Sequence, residues 1–183
     1  DLYGNPSSMH FFGGQVQKKV DEARNRVAAL LGAMPEEIIF TACGTESDNT
    51  AIRSALEVFP EKRHIITTRV EHPAVLTMCR NLGKRGYRVT ELNVDGEGRL
   101  DLGELRKAVD DDTVIVSIMH ANNETGVMFP IEEISAIVKG KGALFHTDAV
   151  QAVGKVPLDM ARSAIDMLSL SGHKLHAPKG IGV

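Results

Sequence analysis

The chain has 183 residues, of which 43% are hydrophobic and 25% charged, with a formal net charge of −3 at pH 7. This balance predicts one globular domain with a sizeable core, and the spread of the charges argues against a nucleic-acid-binding face. Neither a CxxC pair nor an apolar stretch of the roughly 20 residues that span a bilayer is present, so we expect a cytoplasmic protein without disulfides or a membrane segment.

The predicted elements alternate along the chain. Apolar residues recur at helical spacing from Gly14 to Leu31, and Gly32 is placed to end that helix. The predicted strands are Ile38 to Thr41, His64 to Thr68, Tyr87 to Val94, Thr113 to Met119 and Ala143 to Thr147, and the helices between them begin at about Thr45, at Pro73, after Asp101 and at Pro130. This order predicts an α/β fold, with a mostly parallel sheet and helices on both faces. Ligands of such sheets bind beyond the carboxyl ends of the strands, where polar clusters are therefore of interest.

The first polar cluster, Thr41 to Asn49, follows a predicted strand and opens a helix. Free backbone N–H groups at a helix N-terminus, a glycine at Gly44 and the hydroxyl of Thr45 favour an anion such as phosphate. The alternative is a capping box, in which Thr45 and Asp48 only stabilise the first turn.

The second cluster, Glu71-His72-Pro73, lies between a strand and a helix that begins at a proline. The ring of His72 is a candidate to lie flat against an aromatic cofactor. The alternative is a surface or capping histidine.

The third cluster, His120 to Gly126, is a polar loop after a buried strand. Asn122 and Asn123 are typical turn residues. The functional alternative is an amide that hydrogen-bonds a bound ligand.

The fourth cluster, His146 to Gln151, places a carboxylate at the end of an apolar strand. If Asp148 faces a pyridine nitrogen, its charge keeps that nitrogen protonated, and Gln151 is close enough in sequence to reach a neighbouring ring oxygen. The alternative for Asp148 is a helix N-cap.

The fifth cluster, Ser169 to His176, follows the apolar run Ile165 to Leu168. We expect Lys174 to sit in a crowded setting that lowers its pKa toward that of a nucleophilic amine. Ser171 and His173 are candidate phosphate donors. A metal site formed by His173 and His176 lacks further ligands nearby.

Taken together, these motifs resemble the cysteine desulfurases within the class V aminotransferase group of fold-type I pyridoxal phosphate (PLP) enzymes. The matching segments are Tyr3 to Ser8, Gly44 to Asn49, Glu71 to Pro73, Asn122 to Gly126, Asp148 to Gln151 and Ser169 to Lys174. The turn Ala42-Cys43-Gly44-Thr45 is more similar to the nitrogen-fixation branch of that group. The resemblance implies that residues 1–183 are an incomplete large PLP-binding domain.

The resemblance also implies the roles of single residues. Lys174 would carry PLP as a Schiff base and transfer the proton at the substrate α-carbon, His72 would stack on the ring and Asp148 would pair with the pyridine nitrogen. The remaining cofactor contacts would come from Gln151 at the ring hydroxyl, from Gly44, Thr45, Ser171 and His173 at the phosphate, and from Asn123 beside cofactor and substrate.

The implied function is conversion of L-cysteine to L-alanine, with sulfur passing through an enzyme persulfide to iron–sulfur cluster assembly. The implied partners are a second copy of the chain and an iron–sulfur scaffold protein. The persulfide cysteine and the carboxylate-binding arginine of that family match no position here, and Cys43 and Cys79 are interpreted as small, partly buried residues. The chain start without Met and the strand-like end Gly180 to Val183 indicate an excerpt of a longer protein.

Several alternatives stay open at this point. They are a selenocysteine lyase, a cysteine sulfinate desulfinase, a class V transaminase, and a cofactor-binding or dimerisation module without turnover.

Overall fold

The computed structural model describes residues 2–183, so Asp1, the first residue of the predicted domain, lies outside it. The chain forms two compact units: residues 2–39 with Leu158–Arg162, and Phe40–Pro157 with Ser163–Val183. The helices are α1 (Phe11–Leu31), α2 (Gly44–Val58), α3 (Pro73–Gly83), α4 (Leu102–Ala108) and α5 (Ile131–Lys139), and the strands are β1 (His64–Thr68), β2 (Arg88–Leu92), β3 (Thr113–Ser117), β4 (Leu144–Asp148) and β5 (Met167–Ser169). Two 3₁₀ turns cover Pro35–Glu37 and Gly172–Leu175.

The first unit is built on α1. This helix begins at Phe11, three residues before the predicted start, because the Nδ1 atom of His10 caps it by accepting from the Gly13 amide at 3.1 Å. It ends at Gly32, whose φ of 68° lies in the left-handed region that favours glycine. The prediction for this helix is confirmed except at its first turn.

The second unit holds a five-stranded, all-parallel sheet with the order β2-β1-β3-β4-β5. The chain moves from β1 outward to β2 and then crosses back to β3 on the other side of β1. Parallel crossovers are right-handed, so this reversal puts helices on both faces. It also creates a switch point between β1 and β3, where the loops beyond the strands diverge and leave a crevice.

Helices cover the sheet in two pairs. Helices α2 and α3 pack on each other and on the sheet, and α4 and α5 form a second pair against β2 and β4. The interior strands β1 and β3 are buried at every residue, which explains why polar and apolar residues do not alternate in their sequences. The predicted α/β class and parallel sheet are confirmed.

The predicted strand from Ile38 to Thr41 is wrong. The Ile38 amide donates to the Pro35 carbonyl at 3.2 Å, and the Ile38 carbonyl accepts from the Arg24 guanidinium, so neither group is available for a sheet. Only Thr41 pairs, in a single antiparallel bridge with Gly182. The fifth strand is β5 instead, in the region noted only as an apolar run.

Within residues 2–183, no helix combines the length and the apolar character needed to cross a membrane.

Candidate functional site

A cavity of about 280 Å³ opens at the carboxyl edge of the sheet. It lies beyond the ends of β1, β3, β4 and β5 and against the N-terminus of α2. All residues predicted to contact a cofactor line it, together with five that were not predicted: the full lining is Cys43, Gly44, Thr45, Asp48, His72, Met119, Ala121, Asn123, Asp148, Val150, Gln151, Ser171, His173 and Lys174. Residues as far apart in the sequence as Cys43 and Lys174 are therefore brought to one place.

The N-terminus of α2 forms one wall of this cavity. The helix begins at Gly44, and its N-cap is Cys43, which makes no side-chain capping bond. The capping box of Thr45 and Asp48 is therefore not formed. A Cβ atom at Gly44 would meet Val150 Cγ2 at 3.1 Å and Ser171 Cβ at 3.2 Å, which shows how closely the helix end approaches neighbouring loops.

The two cysteines have different settings. Cys79 is fully buried, and burial raises the pKa of its thiol to about 12. Cys43 is exposed and lines the cavity, so its predicted partial burial is wrong. The N-cap position explains the difference, because the helix that would bury this side chain begins one residue later.

His72 both caps a helix and lines the cavity. Its Nδ1 accepts from the Ala74 amide at 3.2 Å, so the neutral ring carries its proton on Nε2. The capping alternative for His72 is thus correct, and it does not exclude a ligand contact. The cap fixes the plane of a ring that is otherwise exposed.

The adjacent asparagines have separate places in their loop. Buried Asn122 holds the loop, because its Oδ1 accepts from the amides of Glu124 and Thr125 and its Nδ2 donates to the Val70 carbonyl. Asn123 is exposed, and its side chain lines the cavity. Both the turn and the ligand-facing interpretations therefore apply, to different residues.

Asp148 ends β4 and lies on the cavity floor. No helix follows it, so the N-cap alternative is wrong; its Oδ1 instead accepts from the Val150 amide at 2.9 Å. Burial raises the pKa of Asp148, an effect that this hydrogen bond and the nearby His72 oppose. Gln151, one turn on, also lines the cavity, and its Oε1 accepts from Lys155 Nζ at 2.9 Å.

Lys174 lies on the 3₁₀ turn Gly172–Leu175 at the cavity wall. The side chain is exposed, in contrast to the crowded setting predicted for it, because the turn carries it to the open side. Ser171 is buried beside it, with its Oγ 2.9 Å from His173 Nδ1.

Beneath the cavity lies a layer of buried ionisable groups that the sequence analysis missed. Glu71 accepts from Thr68 Oγ1 at 2.7 Å and from the Met119 amide at 3.1 Å, and burial raises its pKa to about 8. Burial, and next the charge of Asp148, raise the pKa of Asp48 to about 8.

His146 completes this layer. Its Nδ1 lies 2.8 Å from Ser117 Oγ and its Nε2 2.9 Å from Ser169 Oγ, and burial lowers its pKa to about 4. A signal for the layer existed in the sequence: His146 shares the strand face of Asp148 two residues on, and Asp48 follows Gly44 by one helical turn. Neither spacing alone indicates burial.

The lining suits a ligand that has an anionic group at the α2 N-terminus and a hydrogen-bond donor or cation near the buried acids. The α2 N-terminus offers backbone N–H groups beside a glycine, and Asp48 Oδ1 is buried without a hydrogen-bond partner among residues 2–183. Across the described part of the chain, no group of three or more His, Cys, Asp or Glu side chains is arranged to hold a metal ion.

The family model "Aminotransferase class-V" matches residues 1–183. A cysteine desulfurase of Trichormus azollae is 65% identical over 182 residues, covering 100% of this chain and 46% of the relative. A solved structure of a NifS-like protein superposes with a TM-score of 0.96 at 45% identity, over 100% of this chain and 51% of that one. A structure of SspA in complex with cysteine gives a TM-score of 0.95 at 40% identity, over 100% and 53%. This chain thus spans about half the length of its relatives.

Proposed function

We propose a function from one established premise: this chain belongs to the class-V aminotransferase family. The complete protein is then a PLP-dependent cysteine desulfurase, and residues 1–183 are an incomplete large PLP-binding domain. The observation that carries the proposal is the convergence of every predicted cofactor residue on one cavity of about 280 Å³. The similarity to proteins named cysteine desulfurase supports the choice of reaction.

The phosphate of PLP is assigned to the wall formed by the α2 N-terminus. The Gly44 backbone N–H and the Thr45 hydroxyl donate from the helix end, where the helix dipole favours negative charge. Ser171 and His173 donate from the opposite loop. The hydrogen bond between these two side chains, 2.9 Å long, keeps them side by side.

The ring is assigned between His72 and the cavity floor. The Ala74 amide holds the His72 imidazole in one plane, against which the ring stacks. The carboxylate of Asp148 would accept a hydrogen bond from the protonated pyridine nitrogen and so keep the ring cationic, and Gln151 would donate to the ring oxygen. When bound, PLP supplies an electron sink for the negative charge that develops at the substrate α-carbon.

Lys174 holds the cofactor through its amine and moves the proton at the substrate α-carbon. Its exposed position on the open side of the cavity gives an incoming amino acid access to that amine. Asn123 contacts the substrate beside the cofactor. A general base must reach the proton it removes, and a flexible lysine on a short turn can do so.

In the complete protein, L-cysteine gives L-alanine while its sulfur passes to an enzyme cysteine as a persulfide. The acceptor is then a scaffold protein for iron–sulfur clusters, and the active enzyme is a cytoplasmic homodimer. Similarity to a NifS-like protein supports a role linked to nitrogen fixation. Neither Cys43 nor Cys79 is assigned as the persulfide residue.

The test is PLP-dependent sulfide release from L-cysteine by the complete protein, with L-alanine measured as the second product. We expect equal amounts of both under reducing conditions. Residues 1–183 assayed side by side should bind PLP without turnover. Sulfide at background level from the complete protein would contradict the proposal.

The same assay separates the rivals that share the cofactor. Selenide release from selenocysteine that exceeds sulfide release from cysteine indicates a selenocysteine lyase. Sulfite release from cysteine sulfinate indicates a desulfinase. Transfer of the amino group to an oxo acid indicates a transaminase. The hypothesis of a cofactor-binding or dimerisation module without turnover predicts that none of these products forms.

A further inference from the structure

One carboxylate oxygen of Asp48, on the floor of the cavity, has no hydrogen-bond partner among residues 2–183. Asp48 lies on α2 one turn after Gly44, is 1% exposed and lines the cavity. The Oδ1 atom lies 3.7 Å from His146 Nε2, which is beyond hydrogen-bond distance. A buried carboxylate in this state is costly unless it is protonated or meets a cation.

No cation on the neighbouring elements supplies that charge. His146 on β4 has both ring nitrogens bonded to serine hydroxyls, and burial holds it in the neutral form. Ser169 on β5 is uncharged, and its hydrogen bond to the Asp48 side chain opposes the rise in the pKa of Asp48 without supplying a charge. The other groups that face the floor are acids: Asp148 at the end of β4 and Glu71 after β1.

The cations of the same cavity lie on its open side. Lys174 and His173 are exposed on the 3₁₀ turn, and exposed His72 caps α3. Water screens their charges more than it screens the buried acids. Burial and the charge of Asp148 therefore dominate, and they raise the pKa of Asp48 to about 8.

We propose that Asp48 carries a proton in the free protein and releases it to solvent when a cationic ring nitrogen pairs with Asp148. This rests on the proposed function, because PLP supplies the cationic ring. The O–H bond of Asp48 breaks, the proton leaves through the open cavity, and no other bond changes. Asp48 is a positioning residue: it is neutral in the free protein and becomes negatively charged when the cationic ring binds beside it.

The sign of the pH dependence follows from this linkage. A nearby cation lowers the pKa of Asp48 in the bound state relative to the free state, so PLP binding strengthens as pH rises between those two values. An asparagine at position 48 cannot titrate. We therefore compare the PLP dissociation constant of Asp48→Asn with that of the unchanged protein. Because all other titrating groups are the same in both proteins, the ratio of the two constants reports the effect of Asp48 ionisation alone.

The experiment measures PLP dissociation constants of the complete protein by fluorescence titration at pH 6 and pH 9. We expect a ratio near one at pH 6 and about tenfold at pH 9, which corresponds to a pKa difference of about one unit. Glu57→Gln, which removes an exposed carboxylate from the same helix, should give a ratio near one at both pH values. Asp48→Ser serves as a second neutral variant if Asp48→Asn does not fold.

A ratio that is the same at both pH values overturns the inference. A constant value near one means that the charge of Asp48 has no effect, and a constant value above one means that Asp48 is already ionised or acts only structurally. These outcomes leave the proposed function intact. If the unchanged protein fails to bind PLP at either pH, the proposed function fails first.

Discussion

Lys174 is the residue on which the proposed chemistry depends. Its amine makes no hydrogen bond or ion pair with any residue of 2–183, although it shares a cavity wall with Ser171 and His173. We expect borohydride treatment of the complete protein with PLP to attach the cofactor covalently to a peptide containing Lys174. Mass spectrometry of the digested protein measures this.

The control for that labelling is Lys179, an exposed lysine five residues on that does not line the cavity. Lys179→Ala should keep the label and the yellow colour of the bound cofactor. Lys174→Ala should lose the covalent label while PLP still binds without a covalent bond. A label on Lys179 with Lys174 unmodified would contradict the assignment.

Thr45 tests the phosphate wall. Thr45→Val removes one hydroxyl donor at the start of α2, and we expect PLP binding to weaken by about 1 to 3 kcal/mol, the usual cost of removing one partner from a charge-assisted hydrogen bond. Thr50→Val, an exposed position on the same helix outside the cavity, should leave the affinity unchanged. Equal affinities for both variants, measured by fluorescence titration, would place the phosphate elsewhere.

Asp148 tests the ring contact. Asp148→Ala should fold, because the residue ends its strand, yet lose most turnover, since an unprotonated pyridine stabilises a carbanion poorly. Circular dichroism checks the fold and sulfide release checks the turnover. Turnover close to that of the unchanged protein is the result that would rule out this role.

At the scale of elements, the sequence predicted correctly the strands and helices whose backbone groups hydrogen-bond within a regular sheet or helix. Strand β1 and the start of α3 match the prediction at every residue, because the β-branched run Ile65 to Thr68 and a proline at the first helical position are local signals. The segment Ile38 to Thr41 has the same local signal, but its backbone groups bond to a turn and to the Arg24 side chain. These hydrogen bonds replace those of a sheet. They depend on the tertiary structure, so the local residue pattern does not predict them.

The same distinction holds for the site. Residues at strand ends, such as His72 and Asp148, were predictable from the rule that ligands bind at the carboxyl edge. Asp48 and Glu71 were not, because their burial depends on how α2 and the β1 loop pack. Exposure of Cys43 and Lys174 depends likewise on where a helix and a 3₁₀ turn begin.

Two adjacent glycines on α1 give an element-scale prediction. A Cβ atom at Gly13 would meet the Asn5 carbonyl oxygen at 2.5 Å, whereas one at Gly14 would have no heavy atom within 4 Å. Gly14→Ala should therefore raise the free energy of unfolding by about 0.5 to 1 kcal/mol, as expected in a helix interior, and Gly13→Ala should lower it. Urea unfolding of both variants measures the difference, and the same sign for both would contradict the packing described for α1.

At the scale of the whole molecule, Glu71 makes stability depend on pH. Its pKa is raised to about 8 in the folded chain, whereas in the unfolded chain it ionises near 4.5. The unfolded state therefore binds fewer protons between these values, and the folded state loses stability as pH rises through that window. The loss is at most about 1.4 kcal/mol for each pH unit.

Glu71→Gln removes this dependence and keeps the shape of the side chain, whose oxygen can still accept from the Met119 amide. Relative to the unchanged protein, the variant should gain stability steadily from pH 5 to pH 8. Urea unfolding at several pH values measures the gain. A difference that does not change with pH would mean that Glu71 is already ionised in the fold.

The loops that line the cavity begin at residue 43 and end at residue 174, and each follows a different strand or opens a different helix. Closing these long-range connections is the slow part of folding a parallel sheet. A ligand that contacts all of these loops would bind a half-formed sheet only weakly. Binding of the proposed cofactor at full affinity is therefore expected only after β5 and the 3₁₀ turn Gly172–Leu175 have joined the sheet.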